Sequence, residues 1–232
     1  MTTFEDVRAR LDGTTGWLTD DQARVLFTSS QQVPAGGTAV EIGTHHGRSA
    51  IALASGLADG ARLVAVDPFG ADWRYGGNDT EAVCRANLDR AGVADVVDLV
   101  VATSAATRAS WSGPVDLLYV DGKHDVGSLL DDLRWAEHLR PGGTVLVHDA
   151  FGSVGVTLGL LWALGTGHRL RYLRRTGSLA TLEVASPGLA DRLRPWRELP
   201  WFARNVLVKV SLRLRLRPLA RLLGHTGVAD PF

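Results

Sequence analysis

The chain has a single cysteine, Cys84, among its 232 residues. No intrachain disulfide is possible, and a reducing compartment is the simplest expectation. It has two lysines, Lys123 and Lys209, so arginine carries nearly all the positive charge. No uninterrupted apolar run approaches the roughly 20 residues that a membrane-spanning helix needs. The opening residues, Met1 to Asp6, lack the basic-then-apolar layout of a secretory leader, so a cytoplasmic protein is expected. Internal repeats and low-complexity tracts are missing as well. Net charge is formally zero, which, without a recognisable module, argues against nucleic acid as a partner.

What is present is an ordinary globular composition, 45% hydrophobic and 22% charged, on a length that suits one α/β domain with short additions. Residues 1–35 read as a helical segment, in which Thr19-Asp20-Asp21-Gln22 resembles a capping box. From 36 to 185, strand and helix signals alternate. Strands are expected at Thr38–Ile42, Arg62–Val66, Val96–Val101, Val115–Val120 and Thr144–Val147, the last fed by a sharp turn at Pro141-Gly142-Gly143. Helices are expected at Ser49–Leu57, Thr80–Ala91, Val126–Leu139 and Val154–Leu164. Such alternation predicts a mainly parallel sheet covered on both faces. Arg169–Arg175 and Ser178–Val184, separated by Thr176-Gly177, predict a closing antiparallel hairpin.

Between the first two strands lies Glu41-Ile42-Gly43-Thr44-His45-His46-Gly47-Arg48-Ser49, and Asp67 follows the second strand. Glycine lets the backbone approach a ligand, and a carboxylate at the second strand end can take ribose hydroxyls, so a nucleoside is the expected ligand. Dehydrogenases usually show Gly-x-Gly-x-x-Gly, and this chain has His45 in place of the middle glycine. The fourth strand ends in Tyr119-Val120-Asp121-Gly122-Lys123-His124, and the fifth in Val147-His148-Asp149-Ala150-Phe151.

Taken in order, these strand ends resemble class I S-adenosylmethionine-dependent O-methyltransferases, and most of all the small metal-dependent enzymes that methylate sugar hydroxyls of macrolides, glycosides and polysaccharides. The resemblance covers roughly residues 36–185. It implies a Rossmann-like α/β fold with a mainly parallel seven-stranded sheet, a C-terminal antiparallel hairpin and helices on both faces. It also implies that Glu41, Gly43, Thr44, Gly47, Ser49, Asp67, Ser104 and Asp121 surround S-adenosylmethionine, with Ala102-Thr103-Ser104 beside the adenine. Asp121 and Asp149, with His148, would hold Mg²⁺ or Mn²⁺, hard cations that take oxygen ligands. Two departures stand out. The position after Asp149, where catechol-type relatives supply a ligand, is Ala150, and the position before it, commonly acidic in the sugar branch, is His148. Plain capping roles for Asp121 and Asp149 stay open.

A sugar hydroxyl needs a base. His124, where the sugar enzymes carry a catalytic histidine, and His148 are the two candidates. His45 and His46 are expected to shape the cleft, and Lys123 to lie at the surface. Trp73, Arg74, Tyr75 and Gly76-Gly77 suggest either a lid that stacks on sugar faces or an ordinary connection.

Residues 186–232 lie beyond the resemblance. Residues 191–225 hold nine basic side chains against Asp191 and Glu198. Val208, Val210, Leu212, Leu214 and Leu216 alternate with polar residues, a period of two that predicts a strand; a helix over Val206–Leu223, broken at Pro218, is the other reading. This segment is expected to pack on the domain or on a second subunit of a homo-oligomer, or else to touch an anionic membrane. The sequence-level expectation is an O-methyltransferase acting on a small sugar or glycoside. A catechol or phenol methyltransferase, or a membrane-associated protein that binds the cofactor without turnover, are the alternatives.

Overall fold

A computed structural model describes residues 2–70, 77 and 79–225. The expected lid residues Trp73, Arg74, Tyr75 and Gly76 fall outside the described residues. Two N-terminal helices, α1 (Phe4–Leu11) and α2 (Asp20–Ser30), precede the sheet. The capping box is formed: Gln22 N–H donates to Thr19 Oγ1, and Gln22 Oε1 accepts from Thr19 N–H at 2.9 Å.

Seven strands follow: β1 (Thr38–Ile42), β2 (Arg62–Val66), β3 (Val97–Val100), β4 (Val115–Val120), β5 (Leu139–Val147), β6 (Leu170–Thr176) and β7 (Leu179–Val184). Their order across the sheet is β3-β2-β1-β4-β5-β7-β6, and only β7 runs antiparallel to its neighbours β5 and β6. The expected Pro141-Gly142-Gly143 turn lies inside β5 instead, where the register against β4 shifts between Val115 and Leu117. A bulge there absorbs the three residues without ending the strand.

The helices between strands are α3 (Arg48–Ala54), α4 (Thr80–Arg90), α5 (Ser104–Ala109), α6 (Val126–Asp132) and α7 (Val154–Thr166). A 3₁₀ turn, Leu133–His138, completes the segment expected as one long helix. Alternate strand residues divide between two cores. Ala39, Leu63, Leu117 and Tyr119 pack under α1 to α4, and Val40, Leu118, Val120 and Val147 pack with Trp135, Leu160 and Tyr172 on the opposite face. Burial on both faces explains why these strands read as near-continuous apolar runs.

Register decides where the chemistry sits. Ile42 pairs with both Val66 and Val120, Val66 pairs with Val100, and Val120 with Val147. One further layer of bonds extends this edge: Gly43 N–H to Val66 O, Asp67 N–H to Val100 O, Asp121 N–H to Ile42 O and His148 N–H to Val120 O, all between 2.8 and 3.1 Å. Gly43, Asp67, Asp121 and His148 therefore form one row at the carboxyl edge. The strand order reverses between β1 and β4, so the row crosses the switch point where open α/β sheets bind ligands.

The C-terminal segment corrects the strand expected at Val208–Arg217. It forms α8 (Leu189–Leu193), a 3₁₀ turn, α9 (Leu199–Arg213) and α10 (Arg217–Leu222). The alternation of apolar residues is real, but no strand among the described residues pairs with it, and a helix satisfies its backbone groups internally. Glu198 anchors its entry: it accepts from Tyr172 Oη at 3.0 Å and from Arg175 Nε at 2.6 Å. The Arg175 guanidinium also lies 4.0 Å from the Trp201 ring centre. Among the described residues no helix is long and apolar enough to cross a membrane.

Candidate active site

The loop after β1 is built on two carboxylates. Glu41 is fully buried. Its Oε2 accepts from Thr44 Oγ1 at 3.2 Å, the Ser49 hydroxyl lies near it, and its Oε1 has no partner. Burial pushes its carboxyl up to about 8, against the opposing hydrogen bonds from Ser49 and Thr44. Asp67 accepts three backbone bonds: Thr44 N–H and His45 N–H on Oδ2, at 3.0 and 2.9 Å, and Phe69 N–H on Oδ1 at 2.8 Å. It thus fixes the loop's path and keeps some acceptor capacity, since a carboxylate offers about four lone-pair sites.

The two glycines have separate reasons. Gly43 (φ 88°) lies so close to β4 that a Cβ would collide with the Asp121 carbonyl. Gly47 (φ 84°) opens α3 in the left-handed region, with the buried Cys84 sulfur 3.2 Å from where a Cβ would sit. His45 and His46 stack at 3.8 Å, and His46 Nδ1 meets Thr15 Oγ1 at 2.7 Å, so both histidines tie the loop to the N-terminal segment.

Ser104 opens α5. Its hydroxyl accepts from Trp135 Nε1 at 3.0 Å and lies near Asp132, whose carboxyl burial pushes up to about 6. Asp132 and Trp135 were not anticipated from the sequence.

The second half of the row gathers two carboxylates and two imidazoles. His124 Nδ1 lies 3.2 Å from Asp149 Oδ2, and its Nε2 lies 3.6 Å from Asp121 Oδ1. His148 Nδ1 lies 3.3 Å from Asp121 Oδ1 and 3.7 Å from Asp149 Oδ1. Tyr119 Oη donates to Asp121 Oδ2 at 3.0 Å. The two histidines differ in access. The His124 side chain is 39% exposed, whereas that of His148 is 6% exposed and its Nε2 is buried without a partner.

Charge sets the protonation of this cluster. Burial alone would raise the Asp121 pKa, but the His148 and His124 imidazoles outweigh it and hold the carboxyl well below the usual range. Burial opposes the charge on His148, yet Asp121 and Asp149 pull its pKa upward. His124 is also raised, chiefly by Asp121 and then by Asp149, against the effect of burial.

Asp121, His148 and Asp149 can each offer a ligand atom within 4.8 Å of the others, so the donor set fits a cation. An imidazole among the donors suits Mn²⁺ better than Mg²⁺. Ala150 is fully buried and offers no ligand. Lys123 stays at the surface, paired with Asp125 at 3.3 Å.

Two partners come from the C-terminal helix, and no local motif could have revealed them. Asn205 Nδ2 donates to Phe151 O at 3.1 Å, and Lys209 Nζ donates to Gly152 O at 2.7 Å. Asp149 and Phe151 both hold left-handed backbone, at φ 54° and 58°. That conformation is costly for phenylalanine, so α9 fastens a strained turn right after the second carboxylate. On the other side, Gly155 packs so tightly that a Cβ would strike the His124 carbonyl.

Residues 40–150 match the family model described as a methyltransferase domain. A catechol O-methyltransferase of Mycobacterium tuberculosis is 37% identical over 111 residues, which cover 47% of this chain and 46% of that protein. The chain thus spans about half the length of the curated relative it matches. Among solved structures, cofactor-bound Rv0187 from MTB is 24% identical over 79% of this chain and 88% of that one, with a TM-score of 0.61. The O-methyltransferase TomG from Streptomyces achromogenes, solved with its methyl donor, is 20% identical over 80% and 92% of the two chains, with a TM-score of 0.59. The fold is the Rossmann-like α/β fold that these two structures share, and the matched stretch begins within β1 and ends just past Asp149.

Proposed function

We propose that the protein transfers a methyl group from S-adenosylmethionine to a hydroxyl of a sugar or glycoside. The observation that carries this reading is the placement of His124, the accessible imidazole of the row, between Asp121 and Asp149. Its Nδ1 lies 3.2 Å from Asp149 Oδ2, so that carboxylate orients the ring. Its Nε2, at 3.6 Å from Asp121, is beyond a good hydrogen bond and is left to accept the acceptor's proton. A base oriented by a carboxylate through its other nitrogen is the general arrangement for activating a poor nucleophile. His148 is enclosed and has the supporting role of offsetting the two carboxylates.

The first half of the row supports the cofactor. The partnerless Glu41 Oε1 gives a buried acceptor for a ligand ammonium, and the remaining lone pairs of Asp67 are available to ribose hydroxyls. Gly43, Thr44 and Gly47 give the loop its path, Ser49 orients Glu41, and Ser104 stands on the adenine side. When bound, S-adenosylmethionine supplies an electrophilic methyl group. A divalent cation held by Asp121, His148 and Asp149 would polarise the acceptor oxygen and lower its pKa. Loading it must displace any proton on His148, so metal affinity rises with pH.

A second reading, a catechol or phenol acceptor, is favoured by the name of the Mycobacterium tuberculosis relative. A phenolic hydroxyl ionises more readily and depends less on His124. The test is transfer of labelled methyl from S-adenosylmethionine to a panel of monosaccharides, glycosides and catechols. Label in sugar hydroxyls supports the first reading, and label in catechols alone moves the assignment to the second. No label in any acceptor, from protein that binds S-adenosylhomocysteine, contradicts both.

A further inference from the structure

Helix α9 is inside out. It turns Asn205, Val208 and Ser211 to the domain and leaves Leu207, Val210 and its C-cap residue Leu214 outside, at 54%, 48% and 64% exposure. The outward set falls at i, i+3 and i+7, one continuous stripe of a helix. A second stripe, Val154, Leu158 and Trp162 on α7, is also exposed. It begins two residues after Gly152, whose carbonyl accepts from Lys209 of α9. Scattered exposed leucines need no explanation, but two ordered stripes do.

The charge around them is one-sided. From Leu199 to His225 the sequence has no Asp or Glu. Arg213, Arg215, Arg217 and Arg221 are exposed, and none has an ion-pair partner among the described residues. Leu219 and Leu222 of α10 are exposed among them. Apolar side chains bordered by unpaired arginines describe a surface that lies in the headgroup layer of a membrane, with the leucines below the phosphates and the guanidinium groups among them. A second copy is the poorer occupant. A two-fold contact through this face sets the same arginine-rich, acid-free surface against itself.

We propose that α9 and α10, with the exposed stripe of α7, form a docking surface for an anionic lipid bilayer. Since Asn205 and Lys209 of α9 hold the turn after Asp149, docking sets the hydroxyl-handling end of the row close to the bilayer.

The test is co-sedimentation of the full chain with vesicles of phosphatidylglycerol and phosphatidylcholine, against vesicles of phosphatidylcholine alone. The expected result is binding to the anionic vesicles at least about tenfold stronger than to the neutral ones, and weakened by high salt. The triple variant L207D/V210D/L214D changes only exposed positions; it should lose vesicle binding while keeping S-adenosylhomocysteine affinity and melting temperature. The variant R213A/R215A/R217A should retain the fold and lose the preference for anionic lipid. Equal binding to both vesicle types, or none to either, overturns the proposal. So does a dimer, seen by light scattering, that L207D/V210D/L214D dissociates without changing vesicle binding.

Discussion

The two halves of the strand-end row are held in different ways. Around Glu41, Gly43 and Asp67 the geometry rests on backbone amides: three N–H groups converge on Asp67, and β1 presses on β4 where only glycine fits. Around Asp121, His124, His148 and Asp149 it rests on ionisable side chains whose pKa values shift one another. A site that must grip one invariant cofactor is served by fixed backbone. A site that must move a proton needs groups whose charge can change. The first half should therefore respond to substitution through affinity, the second through rate and pH.

The largest expected effect is in the second half. His124→Ala should lower turnover by about 10²–10⁴-fold while leaving S-adenosylhomocysteine affinity unchanged. Equal loss of affinity would erase the distinction between the halves. Gly155→Ala comes next. Its methyl group would push the His124 backbone, and a displacement of about 1 Å can cost on the order of 10²-fold in rate. Isothermal titration should show its cofactor binding intact.

Asp67→Asn sharpens the other side. The amide retains an acceptor oxygen but turns a donor toward the loop's N–H groups, so S-adenosylhomocysteine affinity should fall by about tenfold or more with turnover at saturation little changed. A rate defect at saturating cofactor would contradict this.

The smallest effect is one of stability. The Glu41 carboxyl is raised from 4.5 to about 8 by burial. The folded state then holds this proton more tightly than the unfolded chain. Its contribution is full below about 4.5 and is lost as pH rises through about 8. Glutamine stays neutral, so the Glu41→Gln protein without cofactor should match wild type in melting temperature at pH 5 and exceed it by several degrees above pH 8. Its cofactor affinity should be lower. A parallel fall in melting temperature for both proteins would remove Glu41 as the cause.

Much of this was legible in the sequence. Five strands buried on both faces announced themselves as apolar runs, and parallel pairing brought their ends into one row. Helix α5 was missed because Ser104–Ala109 is six residues long and buries none of them. The strand expected at Val208–Arg217 failed because a period of two is informative only where a sheet edge stands ready, and helix α9 exposes its leucines where an ordinary amphipathic helix hides them. At the site, the sequence named both carboxylates and both histidines. It could not tell the accessible imidazole from the enclosed one, because exposure is set by tertiary packing, such as that of Tyr119 against His148. The same holds for Asp132 and Trp135 beside Ser104.

One measurement addresses the division of labour most directly: the single-turnover rate of methyl transfer as a function of pH, with the cofactor saturating and the best acceptor from the panel. Asp121 and Asp149 raise the pKa of His124, and the base works only when unprotonated. The rate should therefore climb with pH through an apparent pKa above the ordinary 6.5, and His124→Ala should abolish that limb. A limb that survives His124→Ala unchanged, or a rate independent of pH, would contradict the account.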